Sequence, residues 1–328
     1  MKILISGASG FIGSHFHEQL PQLQIINFDL IEPKFDYEST FFKGDIRNKD
    51  EVELCLSKYK CDTILHLAAE HKDFGVSYED FFKTNEFGTK TLCDAATKFG
   101  IKKFIFYSSV AVYGNNKTPS SEKINPNPLS PYGKSKSAGE KVLEQWATED
   151  LERCVIIIRP AVVYGERNVA NMFRLIEQIK EGHYFHIGKG ENVKSIAYVK
   201  NLVEATIWLM DRMKPGVQVY NYADSKQLSS RHIASVISKA LGRKEPITLP
   251  YWLVYTMGIP FDIAIKLTGK DLPISTNRLK KFCTETYHKA DKIREAGFVP
   301  KYFNEEGLQN MVLWMNSKNF KNEAIFDV

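Results

Sequence analysis

An apolar run at residues 2–6 leads without a break into Gly-Ala-Ser-Gly-Phe-Ile-Gly at residues 7–13. Glycines at Gly7, Gly10 and Gly13 let the chain turn sharply from a strand into a helix. They also let backbone N–H groups approach a pyrophosphate at the helix start, where the peptide dipoles favour negative charge. Phe11 and Ile12 lie inside the same turn. A second apolar run, "QIINFDL", brings Asp29 about twenty residues downstream, where a carboxylate accepts the ribose hydroxyls of an adenosine. An acid there repels a 2′-phosphate, and no arginine follows it directly. The plainer reading, a bare turn with Asp29 as a cap, is disfavoured because strand, turn, helix, strand and acid stand in the required order. NAD is therefore expected in preference to NADP.

Further apolar β-rich runs, "DTILHLAA", "KKFIFYSSV" and "CVIIIRP", alternate with segments long enough for helices. Near-continuous hydrophobic strands need cover on both faces, which predicts a doubly wound α/β fold with a parallel sheet. Residues 1–165 read as the dinucleotide-binding domain, with segments near 195–225 returning to it. Residues 166–328 read as a smaller mixed α/β lobe for substrate. A 328-residue chain with 43% hydrophobic content has ample core for this plan.

The +5 charge comes from 44 basic and 39 acidic residues without a basic run, so no nucleic-acid partner is expected. Five cysteines without CxxC spacing suggest reduced thiols, with neither a disulfide framework nor a metal site. "MKILISG" has no signal-peptide layout, which points to the cytoplasm. The apolar stretch 251–269 is interrupted by Pro260 and Asp262, so it makes a poor spanning helix. It reads as a buried core helix, with membrane-proximal work as the alternative.

"SPYGKSKS", residues 130–137, sets Tyr132 four positions before Lys136. Ser130 suits a helix cap and Pro131 the first helical position, so phenol and ammonium fall one turn apart on one face. A nearby positive charge favours phenolate, which predicts a tyrosine acidified toward neutrality and able to move a proton at an alcohol or ketone. The hydroxyls of Ser108 and Ser109, at the end of a strand, are placed to meet the same oxygen.

With these residues the chain resembles the extended short-chain dehydrogenases/reductases of the NAD-dependent sugar epimerase/dehydratase type. The resemblance rests on Gly7, Gly10 and Gly13, "GDIR" (44–47), "HLAA" (66–69), "TNEFGT" (84–89), "YSSVAVYG" (107–114), Tyr132 with Lys136, and "RPAVVYG" (159–165). It implies that Asp45 and Ile46 line the adenine pocket and that Leu67, Ala68, Ala69, Ser108 and Pro160 lie along the cofactor. It also implies that Lys136 holds the nicotinamide ribose and that Ser109 is the catalytic hydroxyl. Asn85 is read either as a packing residue or as part of the site's water network. A homodimer through helices around 86–99 and 133–148 is implied as well, although the Ala138, Val142 and Trp146 stripe equally suits intrachain core.

The resemblance also narrows the reaction. Members that dehydrate sugars carry Thr-Asp-Glu where this chain has Ser109, Val110 and Ala111, so elimination of water is not expected. A nucleotide-sugar 4-epimerase is the leading reading. A ketoreductase or dehydrogenase of a nucleotide-linked sugar, a lipid-linked sugar or a hydroxysteroid-like alcohol needs the same residues. A dinucleotide sensor without turnover is the third reading, disfavoured by the retention of Tyr132, Lys136 and Ser109 together. In the second lobe, Val162 stands where many sugar-nucleotide epimerases have asparagine, and Lys194 with Ser195 where they have Arg-Asp. Asn171, Lys194 and Arg278 are the candidates for contacts to a diphosphate or nucleotide.

Overall fold

The apolar runs become parallel strands because their side chains are claimed on both faces. The computed structural model describes residues 2–20, 24–72, 75–114, 119–268 and 276–325. Its central sheet comprises β1 (Lys2–Ser6), β2 (Gln24–Asp29), β3 (Thr40–Lys43), β4 (Thr63–His66), β5 (Lys103–Tyr107), β6 (Cys154–Pro160) and β7 (Gly216–Tyr222). The order is β7-β6-β5-β4-β1-β2-β3, and all neighbours are parallel.

Side chains alternate across this sheet with a period of two. Ile3, Ile5, Ile105 and Ile156 enter one core with Leu202 and Met311, whereas Leu4, Ile64, Phe104 and Val155 enter another with Leu92 and Leu143. Chain progression reverses between β1 and β4, which opens a crevice beyond the strands' carboxyl ends. The segments following β1, β4 and β5 meet at that edge and carry Gly7, Leu67 and Ser108.

Two strands were not among the apolar runs read from the sequence, although β7 falls in the 195–225 segment expected to return to the sheet. β3 is a four-residue edge strand, Thr-Phe-Phe-Lys, with exposed ends and too short a run to show periodicity. β7 begins on glycine and mixes polar with apolar residues, because its first four positions are only half-buried. The helix Val199–Met210 precedes it and packs against the helix Phe11–Gln19.

Outside the central sheet the chain forms short strand pairs, Val162–Tyr164 with Ile196–Tyr198 and Val193–Lys194 with Leu228–Ser229, with helices around them. Here one expectation fails. Residues Tyr251–Thr268 do form a helix, but it is not a core helix: Trp252, Met257, Ile263 and Leu267 are exposed. Its low contrast between faces hid this, since apolar residues occupy the outer side as well as the inner one. Among the described residues, no helix is long and apolar enough to cross a membrane, and no His/Cys/Asp/Glu cluster suits a metal ion. All five cysteines are free.

Candidate active site

The turn after β1 is shaped by what its glycines prevent. Gly7 has φ +77°, and a Cβ there would stand 2.6 Å from the Ala68 nitrogen, where the turn presses on the end of β4. At Gly13 a Cβ would lie 2.4 Å from the Ala8 backbone, so only glycine lets the helix Phe11–Gln19 start this close to the turn. Gly10 is that helix's extended N-cap, with no side-chain cap and no acid in the first turn. Phe11 and Ile12 open the helix, whose first turn carries no carboxylate of its own against the N-terminal dipole that faces the crevice.

Asp29 ends β2 with its carboxylate accepting from the backbone N–H of Ser9 (3.0 Å) and Ile31 (3.3 Å). Burial raises its pKa. Leu67 and Ala68 both donate backbone N–H to Ser6 O, which draws β4's end toward the glycine turn, and Ala69 continues half-buried beyond them. Ser108 is buried with a hydroxyl that has no protein partner, and Pro160 is buried at the end of β6. Asp45 is paired with Arg47 at 2.6 Å, which holds its carboxyl below the ordinary value despite partial burial. Ile46 turns its side chain into the core beneath Gly88, leaving its backbone rather than its side chain for a ligand. An open helix start, an acid at the end of β2 and an orphaned hydroxyl along one sheet edge fit a dinucleotide.

The helix Pro131–Thr148 begins as its sequence requires, with Pro131 first and the Ser130 hydroxyl accepting from the Gly133 N–H at 3.0 Å. Tertiary contacts then fix its position. A Cβ on Gly133 would fall 2.5 Å from Ala111 O, and one on Gly139 would fall 2.6 Å from Asn85 O. The first approach docks the helix onto the turn Val110–Tyr113, which Ser109 caps by accepting from the Ala111 N–H at 3.1 Å, and the second docks it onto the segment carrying Asn85. The Ser109 hydroxyl is thereby set beside the Tyr132 phenol, where it favours the phenolate.

Lys136 is buried on the same helix, donating to Tyr107 O at 2.7 Å and lying 4.8 Å from the Phe106 ring centroid. This corrects the expectation of an acidified phenol. Burial pushes Tyr132 up to about 12, with the neighbouring Ser109 hydroxyl opposing the rise. Burial likewise pulls Lys136 down to about 7, opposed by the negative charge of Glu140. Desolvation outweighs the phenol–ammonium attraction here because the lysine points to a strand carbonyl.

Residues not singled out from the sequence, together with Asn85, complete the framework. Arg159 grips Glu140 with two nitrogens at 2.8 and 2.6 Å and donates to Tyr113 OH at 2.8 Å, which in turn donates to Asn221. Both charges of that pair are almost fully enclosed. Asn85 lies in a π-helical turn, Lys83–Phe87, a deviation common at functional sites. It accepts from Glu70 N–H at 2.9 Å and donates to Glu70 O at 2.8 Å and to Ser135 Oγ at 2.9 Å. Its packing role is thus explicit: it ties the segment after β4 to the tyrosine helix. The i+4 spacing of Glu140 after Lys136 was the signal available for it in the sequence.

The substrate-side candidates are more scattered. Asn171 is exposed at the start of the helix Asn171–Glu181. Lys194 donates to Thr284 O at 2.5 Å, and burial lowers its pKa. Arg278 belongs to the helix Thr276–Cys283, but its side chain is outside the described residues. A hollow of about 420 Å³ beside Val193 brings together Lys226, Lys289 and Arg294. His288, on its wall, stacks on Tyr113 with centroids 6.1 Å apart.

Residues 3–223 match the profile of the NAD dependent epimerase/dehydratase family. The chain belongs to that family. NAD is its cofactor, in keeping with the glycine turn and Asp29. A curated relative, the N-acetyl-alpha-D-glucosaminyl-diphospho-ditrans,octacis-undecaprenol 4-epimerase of Escherichia coli O157:H7, is 38% identical over 309 residues, covering 93% of this chain and 92% of that protein. The dTDP-D-glucose 4,6-dehydratase of Mus musculus is 27% identical, covering 98% and 90%. Among solved structures, a UDP-glucose 4-epimerase with UDP-glucose from Thermotoga maritima superposes with a TM-score of 0.77 at 25% identity, covering 96% of this chain and 98% of that one. The seven-stranded sheet and its flanking helices are the architecture expected of this family.

Proposed function

We propose that this enzyme is an NAD-dependent sugar 4-epimerase that inverts a hydroxyl-bearing carbon through a keto intermediate. The observation that carries the reading is the Ser109 hydroxyl set beside the Tyr132 phenol, on a helix that also buries Lys136 beside the sheet edge. Ser109 orients the reacting oxygen, and Tyr132, a protonated phenol in the nucleotide-free fold, moves the proton at that oxygen once the positive charge of bound NAD and of a protonated Lys136 offsets its desolvation. Bound NAD supplies hydride acceptance and donation at that carbon. Lys136 is assigned to the nicotinamide ribose. Val110 and Ala111, which follow Ser109, offer no acid–base pair for elimination, so the ketosugar turns over and is reduced rather than dehydrated.

The substrate is a hexose on a diphosphate, with Lys194 and the cations of the Val193 hollow as its anion contacts and Asn171 and Arg278 as further candidates. A nucleotide sugar fits this class and is the reading drawn from the sequence. The lipid-linked form is favoured by the 38% identity to an undecaprenol-linked sugar 4-epimerase. A homodimer is proposed through the surface around Tyr78, Phe87 and Val142, which line a hollow of about 470 Å³. Trp146 is excluded from that surface because it is buried against Phe104.

The test is to denature the purified enzyme and assay released NAD, then to supply UDP-N-acetylglucosamine and its polyprenyl-diphosphate counterpart and identify the product sugars. Epimer formation without net NADH is expected, and Tyr132→Phe should lower kcat by about 10²–10⁴-fold. Net NADH consumption matching product, or full activity of Tyr132→Phe, would remove the proposal.

A further inference from the structure

The helix Tyr251–Thr268 presents an apolar face to solvent. On its inner side Val254 is buried, Gly258 lies against Thr276 and Leu279, and Asp262 accepts from the Thr276 N–H at 3.0 Å. These positions recur every fourth residue and define the side packed on the helix Thr276–Cys283. Trp252, Ile259, Ile263 and Leu267 follow at spacings of seven, four and four, which places them on one opposite stripe. Trp252 is 67% exposed, Ile263 55% and Leu267 81%. A helix apolar on both sides is ordinarily enclosed, so this stripe requires a cover.

Charge selects the cover. Residues 239–289 contain nine Lys or Arg and four Asp or Glu, and even without Arg278 and Lys289, which are candidates for the substrate's diphosphate, seven cations stand against four acids. A second copy would set that excess against itself, whereas an anionic phospholipid surface attracts it. The aromatic rings of Tyr251, Trp252 and Tyr255 cluster in the first turns, with Lys266 exposed in the last. Tryptophan and tyrosine favour the headgroup level of a bilayer, and aliphatic side chains favour the zone below it. We propose that the Trp252–Leu267 face of this helix lies in the headgroup plane of an anionic membrane.

The rest of the fold makes that contact useful. Beyond the helix Thr276–Cys283 the chain passes Lys194 through Thr284 and reaches Tyr113 through His288, beside the turn that Ser109 caps. The docked face therefore belongs to the same stretch of chain that walls the site. The inference does not depend on the epimerase reading, because membrane binding is measured without substrate.

The full chain would be floated with vesicles of phosphatidylcholine alone and of phosphatidylcholine mixed with phosphatidylglycerol. Binding to the anionic vesicles is expected, weakened about tenfold in high salt, together with a blue shift of tryptophan emission. Trp146 and Trp314 are buried and Trp208 partly so, so the shift reports Trp252 and should vanish in Trp252→Phe. The double variant Trp252→Ser/Ile263→Ser should reduce the vesicle-bound fraction about tenfold with melting temperature and turnover of a water-soluble substrate unchanged. Failure of the wild type to float, or equal flotation of the double variant, overturns the proposal. So does light scattering that shows a wild-type dimer split by the double variant, since a second copy would then be the cover.

Discussion

Replacing Lys136 with methionine should stabilise the protein below neutral pH while abolishing turnover. The side chain is fully enclosed, and burial lowers its pKa from 10.5 to about 7. Between those values the unfolded chain holds a proton that the folded chain has released, so folding stability rises with pH across that window. Below about pH 7 both states hold the proton and the full cost of burying the ammonium is present. Each pKa unit corresponds to about 1.4 kcal/mol, so wild-type stability relative to Lys136→Met should rise by about 3 kcal/mol between pH 6 and pH 9. Methionine also strands Tyr107 O, at a cost of about 1–3 kcal/mol. That loss does not vary with pH and cancels in the comparison. Urea unfolding of nucleotide-stripped wild type and variant at the two pH values measures the difference directly. An unchanged gap between the two proteins would show that Lys136 keeps an ordinary pKa in the fold, and the argument from burial would be wrong.

Two further outcomes follow from the packing. Gly13→Ala pushes a methyl into the Ala8 backbone, which should lower stability by about 1–3 kcal/mol and reduce the NAD retained through purification; wild-type nucleotide content in the variant would contradict the assigned role. Glu140→Gln leaves the Arg159 guanidinium buried without its counter-charge and should cost about 3–5 kcal/mol, whereas Glu140→Leu with Arg159→Met should recover most of it. Chemical denaturation of both variants decides this, and equal losses would show that the pair is not a unit.

What could be read from the chain alone has a local physical cause. The glycine turn, the Ser130–Pro131 helix start and five of the seven strands are written in short-range pattern, because turn geometry, capping and period-two burial involve residues close in sequence. The Tyr132–Lys136 spacing belongs to the same class, since one helical turn sets it. Only the tertiary structure decided how that pair behaves: Lys136 reaches a carbonyl on β5, and desolvation then moves both pKa values against the sequence expectation. The same holds for Arg159 with Glu140, for Gly133 against Ala111 and for Asn85 with Ser135, whose partners lie 19 to 50 residues apart. The helix Tyr251–Thr268 gives the sharpest separation. Its apolar composition is plain in the sequence, but which apolar residues face protein and which face outward depends on the neighbouring helix that covers only one of its sides.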